Sequence, residues 1–159
     1  VIFSATNSGA PPAAPEMFGQ NRQQLRQVFF DVWSKIQTNQ SLEGIERVLA
    51  QIIEMHPEYH ALLADPDKLD KDFSVDAGES NPFLHMALHI SLHEQVSTDR
   101  PAGIRELYQQ LLQKYGNHHD CEHAMIDCLA EMLWQSQRDG QPPSEPEYLR
   151  ALQRLLDKP

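Results

Sequence analysis

At 159 residues, 40% of them hydrophobic and 23% charged, the chain is long enough to enclose a core and short for two ordinary ones, so a single domain is expected. Its 13 Lys and Arg against 23 Asp and Glu give a net charge of -10, which argues against nucleic acid or an anionic membrane as partner, because phosphate recognition needs clustered cations. No apolar run approaches the roughly 20 residues of a membrane span and no signal-peptide pattern opens the chain, so the sequence reads as cytoplasmic. A small-molecule partner, a protein partner and a homo-oligomer all stay open.

Residues 1–16 are rich in Ala, Pro, Ser and Gly without apolar period, and read as a disordered arm or extension ahead of Met17; residues 17–159 form the expected domain. From about Gln20 to Thr38, Leu25, Val28, Phe29, Val32, Trp33 and Ile36 follow helical spacing. A second helix is expected over Leu42–Met55, with Ile45, Val48, Leu49, Ile52 and Ile53 as its buried stripe, broken or restarted at Pro57. Pro57 to Leu63 fits a short helix, and the acidic stretch around Pro66 and Gly78 a connection with at most one helical turn.

Asn81-Pro82 is a helix-start signal, a capping side chain followed by the residue whose missing N–H costs nothing at that position. Helix 82–97 follows. Asp99 and Pro101 open another that carries Ile104, Leu107, Tyr108, Leu111 and Leu112 and closes at Gly116. Asn117 caps a long helix through about Arg138, and Ser144-Glu-Pro-Glu147 has the spacing of a capping box before Tyr148, Leu149, Leu152, Leu155 and Leu156. The fold expected is all-α, a bundle of four to five main helices with short extra turns.

Eight histidines fall in three stretches, His56-Pro-Glu-Tyr-His60, His85-Met-Ala-Leu-His89-Ile-Ser-Leu-His93 and His118-His119-Asp-Cys-Glu122-His123, and the recurring step is four residues. On a helix that step leaves two rings about 40° and 6 Å apart, within reach of one ion. Helix 82–97 is apolar nearly all the way round, so His85, His89 and His93 project into the interior. In the helix after Asn117, Glu122 falls about 50° from the centre of the apolar face set by Cys121, Met125, Ile126, Cys128, Leu129, Met132 and Leu133. A carboxylate there needs a cation, strong donors or a metal.

If these two helices are neighbours, His85, His89, Glu122 and His123 converge, with His60 or His119 completing the set. Imidazoles with one carboxylate suit a divalent ion, zinc or iron foremost, with nickel or manganese as further choices. His56, His93 and His118 read as doubtful ligands, His56 because it serves the turn at Pro57. The alternative is a noncatalytic interaction or structural protein whose buried histidine network only organises the core.

Other chemistry leaves no trace. His-Glu-x-x-His is absent, because His93-Glu94 is followed by Gln95, Val96 and Ser97, and the repeated Glu-x-x-His of carboxylate di-iron bundles is missing. There is no Gly-rich phosphate loop. Cys121 and Cys128, seven apart on one helix, are about 10 Å apart and read as small buried hydrophobes rather than a disulfide or a nucleophile.

The strings Met17-Phe-Gly-Gln, His56-Pro-Glu-Tyr-His60, Asn81-Pro-Phe-Leu-His85-Met-Ala-Leu-His89, Asp99-Arg-Pro-Ala-Gly103, His119-Asp-Cys-Glu122-His123 and Leu133-Trp-Gln-Ser-Gln137-Arg138 carry a family resemblance. Over about Met17 to Leu156 the chain resembles DUF1841, an uncharacterised bacterial domain of unknown function. The resemblance implies a small, cytosolic bacterial protein, and supplies no activity. Its motif includes His60, His85, His89, Glu94, His119, Glu122 and His123. By architecture alone the chain is also similar to DinB-like bundles that hold a metal with three histidines, an analogy of fold rather than of function.

Overall fold

The computed structural model describes residues 15–73 and 80–159, with side chains from Arg22 onward. The arm expected over residues 1–16 thus lies almost wholly outside the described residues. Those described are all-helical, with seven α-helices and no strand. Six helices have ten residues or more: α1 (Pro15–Gln37), α2 (Ile45–Glu54), α4 (Pro82–Thr98), α5 (Ile104–Tyr115), α6 (His118–Asp139) and α7 (Glu145–Asp157); α3 (His60–Leu63) is one turn. The chain divides into two compact units, one ending at Ala87 and the other formed by Leu88–Pro159, and the division falls within α4. None of the described helices is long and apolar enough to cross a membrane.

In the first unit α1 packs on α2 and α3. Phe29, Val32, Leu49, Ile52, Ile53 and Leu63 are among its buried apolar residues, at the helical steps the sequence shows. Val28, counted in the α1 stripe, is 38% exposed, and Arg26 is buried instead. The Arg26 guanidinium donates to the carbonyls of Leu69 (3.0 Å) and Lys71 (2.8 Å) and lies 4.6 Å above the Phe83 ring. An arginine takes an interior place here because it closes off the backbone of an irregular segment that has no helix partner.

Two helix starts differ from the sequence reading, and both differences trace to glycine. Gly44 has φ 55° and Gly103 φ 96°, so helical geometry begins only at Ile45 and Ile104, three to five residues later than expected. After α2, Pro57 restarts the chain as a 3₁₀ turn, Pro57–Tyr59, before α3, and a second 3₁₀ turn, Pro66–Lys68, is capped by Asp65.

The expected caps are present. Asn81 Oδ1 accepts from the backbone N–H of Phe83 (3.0 Å) and Leu84 (3.2 Å), with Pro82 as the first helical residue. Asn117 Oδ1 accepts from Asp120 N–H at 2.8 Å, and Ser144 Oγ from Glu147 N–H at 3.4 Å. In the second unit α5, α6 and α7 pack on one another around Ile104, Leu111, Met125, Leu129 and Leu152. Tyr148 donates to Gln95 Oε1 at 2.8 Å inside this core.

Candidate metal centre

In the first unit two imidazoles meet edge to edge. His56 sits between α2 and the 3₁₀ turn, wholly buried, and its Nδ1–H donates to the Ile52 carbonyl at 2.6 Å. A carbonyl only accepts, so this bond puts the proton on Nδ1 and leaves Nε2 as the nitrogen with the lone pair. That Nε2 faces His85 Nε2, on α4, at 3.1 Å. Tyr59 stacks on the His56 ring, 5.1 Å between centroids and 6° from parallel, and holds its plane.

In the second unit Glu122 gathers the polar groups. It is 2% exposed and accepts at Oε1 from His89 Nδ1 (3.1 Å) and His93 Nε2 (3.0 Å), and at Oε2 from the Tyr108 hydroxyl (3.1 Å). Burial alone raises a carboxyl's pKa. Here the hydrogen bonds from His89 and His93 outweigh burial and bring it down to about 2, so Glu122 is a carboxylate. The bond from His89 uses Nδ1, which fixes that ring with its Nε2 as acceptor. The Tyr108 hydroxyl is pushed well above its ordinary range by burial and by the Glu122 charge, and it stays a donor.

His123 follows Glu122 on α6, and its ring centroid lies 5.2 Å from that of His89. His85 and His89 stand one four-residue step apart on α4. α4 thus carries one imidazole of each of two pairs, His85 beside His56 in the first unit and His89 beside His123 in the second, and ring nitrogens of this kind can hold a metal ion. Two nitrogens bound to one tetrahedral zinc stand about 3.4 Å apart, and adjacent ones around a six-coordinate ion about 3.1 Å, so the His56–His85 pair already has the spacing of neighbouring ligands.

Of the residues singled out in the sequence, His85, His89 and His123 belong to these pairs. Glu122 touches the second pair through His89. His60 and His119 stand outside both: His60 donates from Nε2 to the Ile53 carbonyl at 2.9 Å with its ring 4.4 Å from that of Trp33, and His119, largely exposed, has Nδ1 3.2 Å from Asp120 Oδ1 and its ring 4.1 Å from that of His123. His118 is exposed, with Nδ1 3.0 Å from the Tyr108 hydroxyl.

His56 is the member that sequence reasoning set aside. The step from His56 to His60 has helical spacing, but His56 has φ -126° and ψ 69°, outside any helix, so the two rings do not share a face. The usable signal was Pro57: a residue directly before proline is pushed out of helical geometry, which frees its side chain to turn inward.

Cys121 lies buried beside the network, and burial, with the nearby Glu122 charge, pushes its thiol up to about 12. Burial likewise raises Cys128. Neither has the lowered pKa of a thiol nucleophile.

The family described as "Domain of unknown function (DUF1841)" matches residues 21–154. No curated protein matches the chain, and no solved structure does.

Proposed function

Because the chain belongs to the DUF1841 family, a domain without a known function, we propose its role from its histidines: it binds a divalent transition-metal ion with His85 and His89, one turn apart on α4, as ligands, joined by His56 beside His85 and His123 beside His89. The observation that carries this reading is the 3.1 Å approach of two ring nitrogens, one of them in a ring whose Nδ1–H is held by the Ile52 carbonyl. A metal-binding imidazole is held by a hydrogen bond from its second nitrogen, as His56 is by the Ile52 carbonyl and His89 by the Glu122 carboxylate.

Four neutral imidazoles suit zinc or iron foremost, and nickel or manganese by the same chemistry. Zinc closes a four-coordinate shell with them, which serves a structural or storage role. A six-coordinate iron, nickel or manganese ion keeps two positions for water or substrate and supports metal-assisted catalysis. The ligands contribute no negative charge, so the ion keeps its full positive charge and polarises strongly whatever binds it.

The test is elemental analysis of protein purified without an affinity tag, with calorimetric titration of zinc and iron(II) into chelator-treated protein. One ion per chain supports the reading. Absence of stoichiometric metal both as purified and after reconstitution would leave the competing one, a histidine network that organises the core and surrounds Glu122 with donors.

A further inference from the structure

We infer that Glu122 acts as the positioning residue of this centre: its carboxylate, held in turn by Tyr108 and His93, fixes His89 in the tautomer and ring orientation that present Nε2 to the ion. This rests on the four-imidazole reading above and adds to it the part played by the carboxylate.

The geometry gives the two oxygens separate partners. Oε1 takes the N–H of His89 at 3.1 Å and of His93 at 3.0 Å, and Oε2 takes the Tyr108 hydroxyl at 3.1 Å with His118 Nδ1 at 3.9 Å. A metal-binding imidazole commonly donates its second N–H to a carboxylate or a carbonyl, which sets ring orientation and raises ligand basicity. Both forms occur here. His56 is anchored by the Ile52 carbonyl, and His89 by the Glu122 carboxylate.

The two anchors differ in consequence. A carbonyl only orients its ring, whereas a buried carboxylate also places a negative charge one imidazole away from an ion whose direct ligands are all neutral. Glu122 therefore offsets part of the ion's charge without occupying a coordination position. Tyr108, from α5, and His93, one turn beyond His89 on α4, keep the carboxylate from rotating away.

The experiment uses cobalt(II) and zinc as probes on the full chain, with affinity from chelator competition and ligand geometry from the cobalt visible spectrum. Glu122→Gln keeps an acceptor for His89 but removes the charge; the expected result is affinity for both ions weakened about 10- to 100-fold with the cobalt band positions retained. Tyr108→Phe should weaken binding in the same direction by about 3- to 10-fold, and it decides the matter if the Gln variant does not fold.

Unchanged affinity in the folded variants would overturn the inference. So would a cobalt spectrum that changes its coordination pattern in Glu122→Gln, since that marks the carboxylate as a direct ligand. Failure of the wild-type chain to bind either ion is a different outcome, which removes the four-imidazole centre and this inference with it.

Discussion

His56 and His85, 29 positions apart in the chain, face each other nitrogen to nitrogen at 3.1 Å. Two acceptor nitrogens repel at that distance unless a proton or a cation lies between them. The pair as it stands is a single hydrogen bond, and on the proposed reading an ion takes the place of its proton.

The first prediction separates ligands from bystanders. His56→Ala and His85→Ala should each reduce zinc affinity by more than about 100-fold, because each removes one direct bond. His60→Ala should leave metal content at one ion per chain and lower thermal stability through its lost bond to Ile53 and its packing on Trp33. Metal content measured against melting temperature across the three variants checks this; metal loss in His60→Ala comparable to that in His56→Ala would contradict it.

The metal-free protein should lose stability as acid titrates Glu122. Its folded pKa, about 2, lies below an unfolded glutamate's, roughly 4.3. The stabilisation is fully present above about pH 4.3 and fades as pH falls toward 2. Urea midpoints between pH 5 and 2 should fall more steeply in the wild type than in Glu122→Gln. Parallel curves would show that other carboxyls dominate.

Arg26→Met should cost about 3 kcal/mol, since two carbonyls lose their donors and the side chain is buried. Lysine should rescue little, because a single ammonium lacks the planar fork and does not lie flat on Phe83. Denaturant unfolding of the two variants measures this, and a change below about 1 kcal/mol in Arg26→Met would show that the segment holds its place without the guanidinium.

Cys121 should be silent to thiol reagents in the folded state. With its pKa pushed up to about 12, roughly one thiol in ten thousand is ionised at pH 8. Iodoacetamide at that pH should label it only after denaturation, as read by mass spectrometry; rapid labelling of the native protein would overturn both its burial and its place in the core.

Most of the helical framework was legible because its signals are local. Asn81-Pro82, Asn117 and Ser144 each satisfy backbone donors within three residues of themselves, so their chemistry is written beside the position it controls. Two things were not local. The interior place of Arg26 depends on carbonyls more than 40 residues away, and the inward turn of His56 depends on a departure from helical geometry that a four-residue spacing rule cannot register. Glu122 was legible as a buried carboxylate in need of partners. Who those partners are depends on three helices, and one sequence does not state how helices face each other.

The cap at Asn117 sets more than the start of α6. By fixing where the helix begins, it fixes the rotation of every residue after it, at about 100° each. Glu122 and His123 are adjacent, so both reach the interior only within a narrow range of that rotation. An insertion ahead of Asn117 leaves the phase intact, whereas one between Asn117 and Glu122 turns the carboxylate and His123 off His89. The asparagine serves as the angular zero of the site.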